Sequence, residues 1–257
     1  SLYALLERDD ATLPDVLRLF SDKKFRKAVA RKVENPVVKE FWTTEFENYS
    51  ARLRAEAVAP IQNKLGALLA DPTLFRILVA PVMEVRLRAL MDDGRGLIVN
   101  LSKGELGEDA CLILGGLIIT TLGLAAFSRA NIPLEQRRPF FIYADEFQSF
   151  TTLSLVNMMS ELRKYQVGLI LAHQHLDQLD PTIRSAVFGN AASLIVFRVG
   201  AEDAPYLTKE LQPKFEILDM LNLPNRHSYL KIMTGGVPSH PFSCKIADLE
   251  REELSPG

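Results

Sequence analysis

The sequence predicts an all-α module over residues 1–92, followed by an α/β core over 93–257 built on a parallel sheet. Three observations carry that reading. No convincing strand pattern occurs between residues 12 and about 92. From residue 93, compact β-type runs alternate with helical segments, and the runs are apolar on both faces, as in a parallel sheet covered on both sides. A hairpin pattern then closes the chain.

The elements follow in order. ATLPDVLRLFSD (11–22) opens a helix with Thr12 as its cap and Pro14 in its first turn, and Val16, Leu17 and Phe20 recur at helical spacing. Asn35-Pro36 breaks the chain, and residues 37–71 continue as a long helical stretch. Its Phe41, Trp42, Phe46 and Tyr49 form an apolar stripe, read as core rather than as a platform for stacking bases. Asp71-Pro72 opens a further short helix, and Asp93-Gly94 is a turn signal. The β-type runs are GLIVNL (96–101), FFIYAD (140–145), VGLILAH (167–173) and SLIVFRV (193–199), with helical segments at about 106–130, 152–165 and 181–189. RHSYLKIM (226–233), the Gly235-Gly236 turn and VPSHPFSCKI (237–246) read as a β-hairpin at the sheet edge. The acidic end, Asp248 to Glu253, reads as a frayed surface segment.

Composition narrows the function classes. A formal net charge of −2 excludes a polycation, so contact with nucleic acid would need a local patch. The densest basic run is Lys23, Lys24, Arg26, Lys27, Arg31 and Lys32, read as a solvated face with phosphate contact as the functional alternative. The two cysteines, Cys111 and Cys244, lack CxxC spacing, which excludes a disulfide scaffold or a cysteine zinc site and suits a reducing cytosol. Residues Ser1 to Asp10 lack the basic and apolar regions of a signal peptide. The apolar run Cys111 to Phe127 reaches the lower edge of spanning length. Its glycines and its place between strand-like runs favour a buried helix over a membrane span.

The chemistry concentrates at strand ends. In PFFIYADEFQSF (139–150) the apolar run stops at Asp145-Glu146. The C-terminal ends of parallel strands form the ligand crevice of such sheets. A carboxylate there can hold Mg²⁺ together with phosphate, and its neighbour can orient or deprotonate an attacking water. The bland alternative is that polar residues simply follow a core strand. VGLILAH then ends at Gln174, whose amide can hydrogen-bond a γ-phosphate or the lytic water. Arg163 lies near the end of the helix between the two strands. It either complements that helix's dipole or reaches a neighbouring subunit's nucleotide, where a permanently charged guanidinium stabilises transition-state charge. His173 and His175 flank Gln174 without a third metal ligand in view and read as loop polarity. Arg198 reads as a strand residue paired with Asp203, the alternative being a second cation facing phosphate or an interface.

PFFIYADEFQSF, ELRKYQVGLILAHQHLDQL, GNAASLIVFRVGAEDA and PFSCKI together resemble the HerA/FtsK-type P-loop ATPases, and among them the type IV secretion coupling proteins and conjugative transfer ATPases of the TraD and TraG kind. The resemblance covers most of residues 93–246, and the helical first part looks like the all-α domain those proteins insert into their motor core. It implies a RecA-like core that binds ATP and Mg²⁺. Asp145 and Glu146 match the Walker B pair, with Asp145 at the metal. Gln174 matches the glutamine sensor and Arg163 the trans arginine finger. It further implies a hexameric ring that pumps DNA. Relaxase or secretion-channel proteins would be its partners, in the cytoplasm and at the inner membrane through parts outside this chain. Rival readings are a HerA-like DNA-end-processing or defence translocase, and a non-catalytic adaptor on the same fold. One departure is large. No GxxxxGK[ST] occurs, and SKGELGED (102–109), with Lys103 ahead of its first glycine and three acids, cannot cradle a triphosphate. The chain therefore reads as the C-terminal part of a motor, with residues 1–257 alone expected not to hydrolyse ATP.

Overall fold

The computed structural model describes residues 2–8, 10–79, 85–150 and 153–247, so the acidic end expected to fray lies outside the described residues. The chain divides into two compact units, residues 1–85 and 86–257.

The first unit is helical throughout its described residues: α1 (Leu2–Leu6), α2 (Leu13–Ser21), α3 (Lys23–Lys32), α4 (Pro36–Glu40), α5 (Ala51–Ala70) and α6 (Pro72–Val79). Short polar side chains start these helices by accepting from otherwise orphaned backbone N–H groups. Asp22 accepts from Lys24 and Phe25, Asn35 from Val37 and Val38, Ser50 from Leu53, and Asp71 from Thr73 and Leu74. The long stretch predicted over 37–71 is interrupted by a π turn at 41–45, a 3₁₀ turn at 46–48 and an extended Tyr49, before Ser50 restarts the helix. The interruption packs the aromatics as core. Trp42 is 2% exposed, and its ring lies 5.0 Å from that of Phe46. Arg26 leaves the basic run to serve this core. It is buried, donates to Glu47 and to the carbonyls of Leu19 and Phe20, and lies over the Phe46 ring. Burial pushes the Glu47 carboxyl upward, but the hydrogen bonds from Arg26 and Lys23 outweigh it and hold the carboxyl below its usual range.

The second unit contains α7 (Leu87–Asp93), α8 (Lys103–Leu106), α9 (Glu108–Ser128), β1 (Phe140–Ala144), α10 (Leu153–Glu161), β2 (Val167–Leu171), α11 (Pro181–Asn190), β3 (Leu194–Val196), α12 (Ala204–Leu211), α13 (Ile217–Leu221), β4 (His227–Lys231), β5 (Met233–Thr234), β6 (Val237–Pro238) and β7 (Phe242–Lys245). The α/β class holds. β1 and β2 pair in parallel, with Phe140 opposite Val167 and Ala144 opposite Leu171. The predicted hairpin also forms: β4 pairs antiparallel with β7, and β5 with β6 around Gly235-Gly236, both at positive φ.

Three details depart from the sequence reading. The run 96–101 is not a strand. An apolar run becomes a strand only when a neighbouring edge takes its N–H and C=O groups, and here none does. β3 does not extend the parallel pair; it pairs antiparallel with β4, forming a second sheet in the order β3-β4-β7. Among the described residues the sheet is not covered on both sides either. Phe141 and Tyr143 of β1 are 58% and 75% exposed, and Ile195 of β3 and Phe197 just after it are likewise exposed.

Helix α9 is long and apolar enough to cross a membrane by length and composition. One side of it packs into the core, while Leu112, Leu117 and Leu124 stay exposed. Gly115 and Gly123 are notches that admit Phe150 and Met158, so that a Cβ at either glycine would fall within about 2 Å of those side chains. Below the sheet, Arg129 is fully buried. It donates to Asp92 (3.1 Å) and to the carbonyls of Tyr165 (3.0 Å) and Arg138 (2.6 Å). Arg88 bonds Asp92 and Asn131, and Arg138 donates to the carbonyl of Asp93. This arginine knot ties α7 to the N-terminal ends of β1 and β2, so α7 packs with the second unit although the sequence changes character only after it.

Candidate functional site

Asp145 and Glu146 follow β1 directly, and Ala172, His173 and Gln174 follow β2. The parallel register brings the two strand ends together: Ala172 N–H donates to the carbonyl of Ala144 (2.9 Å), and Phe147 N–H donates to that of Ala172 (3.1 Å). The chain turns sharply at Glu146, whose φ of 49° lies in the left-handed region. A non-glycine residue held there marks a backbone that its surroundings over-determine, a frequent property of active sites. Here the Phe147 bond to the β2 strand end and the Glu146 N–H bond to Asp145 Oδ1 (3.0 Å) fix the turn.

The turn aims the Glu146 carboxylate at β2, where Gln174 Nε2 donates to its Oε1. Gln148 Nε2 donates to its Oε2 at 2.5 Å. Both oxygens are thus oriented by neutral amides, which fix the carboxylate without protonating it. Asp145 is exposed at the strand end. One exposed carboxylate suits Mg²⁺, which takes one or two protein oxygens and fills the rest of its shell with water and phosphate. The donor set therefore fits the metal implied by the resemblance. Among the described residues no group of three or more His, Cys, Asp or Glu side chains is arranged to hold a metal by itself.

The charges of Asp203 and Glu146 both reach His173 on this rim and favour its protonated form. Burial pushes its pKa below the ordinary value, and its ring meets Phe147 edge-on at 5.1 Å. Asp203 is buried and accepts the Leu176 N–H through both oxygens at 3.1 Å, pinning the loop after β2 to the start of α12. Asp203 therefore does not pair with Arg198, contrary to the pairing expected from sequence. Arg198 is exposed, and among the described residues its guanidinium has no hydrogen bond or ion pair.

Arg163 lies elsewhere. It stands in the 3₁₀ turn Leu162–Tyr165 that leads into β2, exposed and without a side-chain partner among the described residues. Asp145, Glu146 and Gln174 are at the C-terminal strand ends and Arg163 is at the opposite end, separated by a five-residue strand, or about 16 Å at the usual rise. The structure thus brings together Asp145, Glu146 and Gln174 and excludes Arg163 from their group. Sequence reasoning missed Gln148, whose only signal is its place two residues after Glu146. It also missed the role of Asp203, because nothing in GAEDA distinguishes an ion-pair partner from a loop anchor.

No model of a known protein family matches the chain, and no curated protein sequence matches it. Solved structures do. The plasmid coupling protein TrwB in complex with the non-hydrolysable GTP analogue GDPNP superposes with a TM-score of 0.68 over 95% of this chain at 14% identity. The chain has the fold of TrwB. TrwB in complex with ADP and Mg²⁺ matches with the same TM-score and coverage, and the unbound conjugative coupling protein TrwBΔN70 matches at 0.67. The likeness to TrwB agrees with the coupling-protein resemblance seen in the sequence, and at this identity it speaks to fold alone. The chain spans 60% of the length of the TrwB chains it matches.

Proposed function

We propose that this chain supplies one wall of the nucleotide site of an ATP-driven coupling ATPase that moves DNA in conjugative or type IV secretion transfer. The observation that carries the reading is the Glu146 carboxylate held by the Gln174 amide across the ends of parallel β1 and β2, on the fold of a protein solved with ADP and Mg²⁺. Asp145 would hold Mg²⁺, which supplies charge neutralisation for the phosphates. Glu146 orients a water and accepts its proton as the water attacks the γ-phosphorus and the bond to the β–γ bridging oxygen breaks, releasing ADP and phosphate. Gln174 exchanges its bond to Glu146 for one to the γ-phosphate or the attacking water, which makes it responsive to the state of the ligand.

Arg163 serves a neighbouring subunit. Its place at the far end of β2 keeps it from its own Glu146 and supports action in trans within a ring, for which a hexamer is the assembly proposed. The phosphate loop comes from outside these residues. β2 and β3 are not hydrogen-bonded to each other, and their open edges leave backbone groups for one further strand.

The test uses the full-length polypeptide that contains these residues. Glu146→Gln keeps the shape and both amide contacts within reach and removes the base, so ATP turnover should fall about 10²–10⁴-fold while ADPNP binding persists. Undiminished turnover by that variant, or a wild-type protein that neither binds nor hydrolyses ATP, would sink the proposal.

A further inference from the structure

The rim that carries Glu146 is acidic. Asp145 and Glu146 follow β1 directly, and Glu202 and Asp203 stand in the segment that links β3 to α12. The bonds from Leu176 N–H to Asp203 hold that segment beside the loop after β2, seven residues past the end of β3. A nucleoside triphosphate brings about four more negative charges, and a rim of carboxylates would repel it. One cation sits in this row. Arg198 stands two residues past Val196, the last residue of β3, and its guanidinium is exposed and uncommitted among the described residues. Arg163 cannot fill this need from the opposite end of β2. The Asp203 carboxylate, the obvious structural partner, is engaged by the Leu176 N–H, so among the described residues no group uses the Arg198 charge.

We infer that Arg198 binds the phosphates of the nucleotide held by its own subunit. This deepens the reading above and rests on it. A guanidinium presents its N–H groups in a planar fork that matches two phosphate oxygens, and it cannot lose its proton at the cost of the site. The two arginines then divide the labour: Arg198 acts in cis on binding, and Arg163 acts in trans on turnover. That division separates this inference from a role in subunit contact.

The experiment measures ADPNP affinity by calorimetry, and steady-state ATPase, in the full-length polypeptide for wild type, Arg198→Ala, Arg198→Lys and Arg163→Ala. The inference expects Arg198→Ala to raise the nucleotide Kd and the KM at least tenfold. Arg198→Lys, which keeps the charge but not the fork, should raise them threefold or more. Arg163→Ala should leave Kd within twofold and lower kcat. Should Arg198→Ala fail to fold, as judged by its circular dichroism, Arg198→Lys decides on the same terms. An unchanged Kd in a folded Arg198 variant overturns the inference and leaves the site reading intact, whereas a wild type without nucleotide binding removes the reading itself.

Discussion

Replacing Arg129 by methionine tests whether the arginine knot supports both the stability of the second unit and the presentation of Arg163. The side chain is fully buried and makes three bonds, to Asp92 and to the carbonyls of Tyr165 and Arg138. Burial disfavours the charged form of this guanidinium, and the Asp92 charge offsets that cost only in part. Methionine fills similar space and takes no charge out of water, which returns some free energy. It also strands two partly buried carbonyls, at about 1 kcal/mol each, and leaves Asp92 with Arg88 alone. The net loss should be about 3 kcal/mol, the lower end of the range for breaking one side of a buried ion pair. For a unit of this size that lowers Tm by about 6–12 °C. Scanning calorimetry of Arg129→Met against wild type reads the shift directly. The Tyr165 carbonyl closes the turn that bears Arg163, so the variant should also lose kcat more than it loses nucleotide affinity. A loss below about 1 kcal/mol would refute the reasoning, because it would mean that the stranded carbonyls find other partners at no cost.

Other outcomes follow from single features. Burial depresses the His173 pKa below its ordinary 6.5, so the folded state takes up its proton later than the unfolded chain. Its contribution to stability is complete above pH 6.5 and is lost as pH falls through the depressed folded value; His173→Gln should flatten the stability–pH curve on that acid side in denaturant titrations. Gly115→Ala would set a Cβ 2.0 Å from the Phe150 ring, and overpacking of about 1–3 kcal/mol should outweigh a helix-propensity gain of about 1, lowering Tm. Gly66, inside α5 with nothing within 4 Å, is the control: Gly66→Ala should raise stability by about 0.5–1 kcal/mol. Lys24, Lys27 and Arg31 share one exposed face of α3, whereas Lys23 is engaged with Glu47 and Arg26 is buried. Charge reversal at those three should flatten the salt dependence of DNA binding by about one unit of slope per residue in the full-length protein; an unchanged slope would remove this face as a phosphate contact.

What could be read from residues alone followed from local rules. Asn35-Pro36 and Asp71-Pro72 mark helix boundaries because the Asn35 and Asp71 side chains reach orphan N–H groups two or three residues on, whereas the restart at Ser50 was hidden inside a run with helical composition. The Gly235-Gly236 turn forms because its two positive φ values need no side chain. The ends of β1 and β2 were legible for the same reason, since an apolar run that stops at Asp145 or Gln174 marks the crevice. Pairing was not legible. GLIVNL has the composition of a strand, but a ladder needs a neighbouring edge that composition does not reveal. SLIVFRV forms one, yet antiparallel with β4 rather than beside β2. The roles of Arg26, Asp203 and Arg198 were hidden for a related reason: the partner of a charge is a matter of three-dimensional proximity. Arg26 looked like part of a solvated basic face and proved to be core, whereas Arg198 looked paired with Asp203 and has no partner among the described residues.

The bare side of β1 has a practical consequence at the bench. Phe141 lies over Gly168 and, with Tyr143 and Ile170, presents apolar surface to solvent when residues 1–257 are prepared on their own. Environment-sensitive dyes such as ANS will light up on it, and the polypeptide will stick to columns and to itself. Both behaviours are usually taken as signs of a molten or misfolded preparation. For this polypeptide they will accompany a sharp, cooperative melt, and sample quality should be judged by that melt rather than by dye uptake.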